Sequence, residues 1–129
     1  MKDLSVLLVE DNRDDEWLTL RALKKMGVEK VTVARDGLAA LSLLLGHPEQ
    51  GEGGRLDPDL ILLDLRLHKI DGLDVMRKIR GEARTSKTKV LVLTSSEDPH
   101  DIEVCKKLGV ADFSCKPLEE RSMRGLKLA

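Results

Sequence analysis

Aromatic side chains are nearly missing from this chain, which has Trp17, Phe113 and no tyrosine. A platform on which successive bases of a single-stranded nucleic acid could stack is therefore excluded, and the core has to be aliphatic. Cysteine is scarce as well. Cys105 and Cys115 are too few for a disulfide framework and show no metal-type spacing, so they read as reduced thiols. No charge of one sign dominates: 22 Lys plus Arg stand against 23 Asp plus Glu, a formal net charge of −1. Nothing in that balance draws the chain to nucleic acid or to an anionic membrane. Long apolar runs are lacking too. The opening MKDLSVLLVED meets acids after a very short apolar stretch, too short for a signal peptide or a membrane span, and this reads as a cytoplasmic protein.

What remains in 129 residues, 41% hydrophobic and 35% charged, is the material for one domain spanning 1–129 with no room for a second. Five short runs rich in branched aliphatics recur: SVLLV from Ser5, KVTVA from Lys30, DLILL from Asp59, KVLVL from Lys89 and ADFSC from Ala111. Their composition predicts strands buried on both faces. Between them lie helical stretches with helix punctuation. The first puts Leu18, Ala22 and Met26 on one face and stops at Gly27; the second runs from Gly37 to Leu45 and ends at Gly46. The third begins at Asp71-Gly72, carries Val75, Met76 and Ile79, and ends near Gly81. The fourth opens at Asp98-Pro99, an N-cap followed by a first-turn proline, and closes at Gly109. The fifth follows Pro117 and packs through Met123, Leu126 and Leu128. Strict alternation predicts an α/β fold with a five-stranded parallel sheet, doubly wound in the flavodoxin-like order 2-1-3-4-5. His47 to Pro58, rich in Gly, Pro and charge, reads as a surface loop.

In such a sheet, ligands bind beyond the carboxyl ends of the strands. The first run ends in Glu10-Asp11, the third in Asp64, the fourth in Thr94 and the fifth in Lys116-Pro117. Taken singly, each has an ordinary explanation: Glu10-Asp11 and Thr94 as helix caps, Asp64 as the start of a polar loop, Lys116 as a solvated lysine. Together they bring three carboxylates, a hydroxyl and an ammonium to one rim. Clustered carboxylates raise one another's proton affinity unless a cation neutralises them. Hard oxygen ligands with room for water favour Mg²⁺. Asp64 can then attack phosphorus, with the metal, Thr94 and Lys116 holding the peripheral oxygens.

These residues resemble the receiver domains of two-component signalling, and the likeness covers essentially the whole chain. LLVEDN, LILLDLRLHKIDG, VLVLTSS and ADFSCKP fall in the order and spacing of that family. The resemblance implies that Asp64 is the phosphoacceptor of a signalling protein, not a conventional enzyme, though one with intrinsic Mg-dependent autophosphorylation and autodephosphorylation. It implies that Glu10, Asp11, Asp64 and the backbone carbonyl of Arg66 bind the metal, that Thr94 is the switch hydroxyl, and that Lys116 precedes a cis bond to Pro117. Phe113 stands where receivers carry an aromatic that turns on activation. The implied donor is a sensor histidine kinase or a phosphotransfer protein. The loop before the third run, with LTSSEDPHDI after the fourth, is similar to the small regulators that pair with bacterial phytochromes. The implied output is a changed surface on helix four, strand five and helix five, engaging a second copy or a separate target.

Departures from the pattern are His68 where receivers usually have Pro, and Glu10 where Asp is commoner. Arg66 and Ser96 occupy the positions that border the path of the hydrolytic water in that family, and Arg66 is expected to pair with the phosphoryl group. Trp17 reads as a packing or surface residue, and His47, His68 and His100 as solvated. Two rival readings fail on residues. A phosphatase of the haloacid dehalogenase type needs a second Asp two residues after its nucleophile, but Asp11 is followed by Asn12 and Arg13. A flavin carrier needs a Ser/Thr/Gly-rich phosphate loop, and DNRDDEW is acidic and has no glycine. A degenerate receiver serving only as an interaction module is opposed by the complete acid, Thr and Lys set.

Overall fold

Each apolar run becomes a strand and each punctuated stretch a helix in the computed structural model, which describes residues 2–46, 56–68, 70–95 and 98–126. The order is β1 (Ser5–Val9), α1 (Arg13–Lys25), β2 (Lys30–Ala34), α2 (Gly37–Leu45), β3 (Leu60–Leu63), α3 (Gly72–Gly81), β4 (Lys89–Thr94), α4 (Pro99–Lys107), β5 (Asp112–Cys115) and α5 (Glu120–Arg124). All pairings are parallel and the sheet order is β2-β1-β3-β4-β5. Helix starts follow from capping: the side chains of Asn12, Asp36, Asp71 and Asp98 each accept a hydrogen bond from a backbone N–H of the first turn. Gly27 and Gly109 end α1 and α4 at φ 85° and 70°, where a side chain would be strained.

Two apolar layers enclose the sheet because alternate strand residues point to opposite faces. Leu7, Val9, Ile61, Leu63, Val90 and Val92 pack with Leu44, Met76, Ile79 and Cys105 of α2, α3 and α4. Val6, Leu8, Leu60, Leu62, Leu91 and Leu93 pack with Leu23 of α1 and with Met123 and Leu126 near α5. Burying each such side chain stabilises the fold by roughly 1.5–3 kcal/mol, enough to make the sheet a rigid support for whatever its ends carry.

Two sequence expectations need correction. The central strands β1, β3 and β4 are buried almost throughout, but β2 and β5 are only partly so. They are the edges of the sheet, and each has a neighbour on one side alone. In α1 the buried residues are Glu16, Thr19 and Leu23. Glu16 can turn inward because Arg35 meets both its oxygens, at 2.9 and 3.2 Å. Leu18, Ala22 and Met26 share one face, as expected; it lines an open groove of about 510 Å³ beside Leu118, with Ala22 and Met26 also packed against the core. Finally, β3 and β5 each start one residue later than expected, at Leu60 and Asp112.

Trp17 is exposed, with the Arg21 guanidinium 5.3 Å from its ring centre. Of the expected 47–58 loop, residues 47–55 lie outside the described residues, as do His47, Ser96 and Leu128. Among the described residues no helix is long and apolar enough to cross a membrane.

Candidate functional site

Register brings the chemistry together. Val9 of β1 lies opposite Leu63 of β3, so Glu10 and Asp64 leave the sheet side by side. The Asp64 N–H still donates to the Val9 carbonyl at 3.2 Å, and the Lys116 N–H donates to the Thr94 carbonyl at 3.0 Å. Four strand ends thus open on one rim. Glu10, Asp64 and Thr94 are buried there, and Thr94 is fully covered. One carboxylate oxygen each from Glu10, Asp11 and Asp64 lies within 4.8 Å of the others. Three hard oxygen donors at that separation fit a divalent cation such as Mg²⁺ or Mn²⁺.

Every carboxylate in the group is already oriented. Asp64 accepts the Arg66 N–H on Oδ1 at 3.0 Å and the Lys116 ammonium on Oδ2 at 2.8 Å. Asp11 accepts the His68 N–H at 2.9 Å. Proline, usual at position 68 in the resembled family, has no N–H and could not make that bond. The departure therefore adds a hold on Asp11 while the imidazole stays exposed, as the sequence implied.

Lys116 bonds Glu10 at 2.6 Å, Asp15 at 2.7 Å and Asp64 at 2.8 Å. The sequence assigns neutralisation of the acids to a metal; this ammonium does part of that work. Its three carboxylate bonds outweigh burial and hold its pKa above the usual lysine value. The peptide bond from Lys116 to Pro117 is cis, as the resemblance implied. Asp15 is the site residue that sequence reasoning missed. No local signal singled it out, because Asp14, Asp15 and Glu16 all suit the first turn of a helix.

Arg66 has a partner on α4. Its guanidinium reaches Asp101 of α4 at 3.6 Å and is largely exposed, a pairing that contributes little to stability in water. Phe113 sits half-buried against the α2–α4 side of the core. Cys115 is exposed and Cys105 buried, where burial pushes the Cys105 thiol up to about 11, so it is no nucleophile at neutral pH.

Burial also raises the Glu10 carboxyl to about 7, with Lys116 opposing and Asp64 adding to the rise. The folded state therefore holds a proton that the unfolded state, with a pKa near 4.5, releases. Stability present at acid pH is lost as pH climbs from 4.5 to 7, by on the order of 3 kcal/mol. Lys116 stays charged throughout and adds no slope. Urea unfolding of the metal-free chain at pH 5 and pH 8 is expected to show a lower midpoint at pH 8. Saturating divalent cation should remove the difference, because a ligating carboxylate is ionised at either pH.

A profile of the response regulator receiver domain matches residues 6–126. The chain belongs to that family. The receiver is 34% identical over 122 residues to the response regulator Rcp1 of Synechocystis, covering 94% of this chain and 80% of Rcp1. Another relative is the probable methanogenesis regulatory protein FilR2 of Methanothrix harundinacea, 38% identical over 120 residues, covering 92% of this chain and 76% of FilR2. Among solved structures, the bacteriophytochrome response regulator AtBRR superposes with a TM-score of 0.82 at 37% identity, covering 98% of this chain and 94% of that one. The Mn²⁺-bound form of Rcp1 gives 0.80 at 32% identity, covering 93% and 86%. As a receiver, the chain takes its phosphoryl group from a histidine kinase or a phosphotransfer protein.

Proposed function

We propose that this receiver accepts a phosphoryl group on Asp64 while Glu10, Asp11, Asp64 and the Arg66 carbonyl hold Mg²⁺. The observation that carries the reading is the Lys116 ammonium 2.8 Å from Asp64 Oδ2, beside three acids able to share a cation. A bound divalent ion supplies charge neutralisation for the incoming phosphate. Asp64 attacks phosphorus, an Asp64 O–P bond forms, and the P–N bond of the donor phosphohistidine breaks as its imidazole recovers a proton. Lys116 and Thr94 each bond a peripheral oxygen. The same attack on a small phosphodonor such as acetyl phosphate, with acetate leaving, accounts for intrinsic autophosphorylation, and later attack of water on the acyl phosphate, releasing inorganic phosphate, accounts for autodephosphorylation.

The signal leaves through α4, β5 and α5. Phosphorylation adds a charge of about −1.5 to −2 and three acceptor oxygens. Thr94 moves to bond one of them and Phe113 turns into the space vacated. The new charge also competes with Asp101 for Arg66, which loosens the tie to α4. The face so changed engages a second copy or a target protein, with 1–129 acting as one domain. Likeness to the bacteriophytochrome response regulator AtBRR supports a phytochrome-type histidine kinase as the donor.

The test is to incubate the protein with acetyl phosphate and Mg²⁺ and weigh it. A gain of one phosphoryl group, mapped to Asp64 and abolished by chelation, is expected. A gain that survives chelation or maps elsewhere would overturn the reading.

A further inference from the structure

An ammonium has three N–H donors, and Lys116 directs each at a different carboxylate. Two of the three acceptors, Glu10 and Asp64, also belong to the group able to hold a divalent ion. Asp15 does not belong to it. Asp15 sits in the first turn of α1, its side chain a third exposed at the rim, and its own N–H is taken by the Asn12 cap at 3.0 Å. When a divalent cation draws Glu10 and Asp64 to itself, Asp15 is the acceptor left to Lys116.

We propose that Asp15 is a positioning residue that keeps the Lys116 ammonium off the metal ligands yet within reach of the phosphoryl group on Asp64. The proposal rests on the reading of Glu10, Asp11 and Asp64 as a divalent site. Without Asp15, the partners remaining to Lys116 are the carboxylates a metal needs, so a fixed monovalent cation competes with the divalent one. With Asp15, the same ammonium has an anchor outside the ligand set throughout the cycle.

A simpler role for Asp15 is that of any first-turn acid, which favours a helix through its dipole. Asp14 separates the two roles. It carries the same charge in the same turn but is exposed, and Lys116 bonds Asp15 in its place.

Calorimetric titration of the full chain with Mn²⁺ at pH 8 tests the proposal. Asp15→Ala is expected to weaken binding roughly five- to tenfold and Asp14→Ala less than about twofold, the size of a screened surface charge effect. In a Lys116→Met background, Asp15→Ala should cost less than about twofold, because there is no ammonium left to restrain. Equal factors for Asp14→Ala and Asp15→Ala would overturn the proposal, as would an Asp15→Ala factor unchanged by loss of Lys116. If the Lys116 variant does not fold, the comparison with Asp14→Ala decides. If Asp15→Ala does not fold, Asp15→Asn takes its place. A parent chain that binds no Mn²⁺ overturns the metal reading itself, a result distinct from binding that ignores Asp15.

Discussion

Asp64→Asn is expected to abolish the mass gain from acetyl phosphate and Mg²⁺ completely while leaving the chain folded. An amide cannot form the acyl phosphate, and no other described carboxylate both receives the Lys116 ammonium and sits at the centre of the rim. The substitution also separates two properties of the site. Both oxygens of Asp64 accept hydrogen bonds, from the Arg66 N–H and from Lys116. An asparagine has one oxygen, so one of those donors will face an NH₂ group and lose its partner. Against this, removing a negative charge relieves Glu10, whose pKa should fall toward the ordinary range. Divalent affinity should drop by at least the roughly 10–100-fold that even outer-shell substitutions cost. Intact-mass spectrometry and calorimetry read the two effects independently. Full phosphorylation of the variant would place the acceptor elsewhere and sink the assignment.

Much of the fold was legible because its signals are local and redundant. A short run rich in branched aliphatics marks a strand whichever side it faces, so all five strands were found to within a residue. Capping residues and terminal glycines likewise placed α2, α3 and α4. The functional rim was legible for a different reason: parallel topology sends every strand's carboxyl end to one edge, so chemistry-bearing residues at those ends must meet. What was not legible was rotational. In α1 a charged residue such as Glu16 gives no local sign of turning inward, and the tertiary partner Arg35 is what allows it. Asp15 was hidden in the same way. In the run Asp14-Asp15-Glu16 every residue suits a helix N-terminus, so residue type cannot say which acid reaches Lys116; the phase of the helix decides. The pairing of Arg66 with Asp101 depends on where α4 lies relative to the β3 exit, a long-range fact that no local pattern encodes.

Gly72→Ala is expected to damage the site from outside it. The residue opens α3, and its N–H donates to the Leu65 carbonyl at 3.1 Å, tying the helix to the chain just beyond Asp64. A Cβ built on Gly72 would lie 2.5 Å from the Leu65 Cα and 2.6 Å from the Asp64 carbonyl oxygen. Both are backbone atoms, so no side-chain rotation can relieve the contact. Either α3 retreats or the 64–66 segment shifts, and that segment carries the phosphoacceptor and the N–H that orients it. Alanine does favour a helix over glycine by about 0.5–1 kcal/mol, but overpacking typically costs 1–3 kcal/mol and the clash here is with backbone. The net loss should be about 2 kcal/mol, lowering Tm by roughly 8 °C for a domain of this size. Divalent affinity should fall about tenfold as the ligand geometry is disturbed. Gly81→Ala supplies the control at the other end of the same helix, where nothing lies within 4 Å of the added carbon. It should be neutral or slightly stabilising and leave metal affinity intact. A Gly72→Ala chain as stable and as metal-competent as the Gly81→Ala chain would mean that the α3 start does not set the position of Asp64.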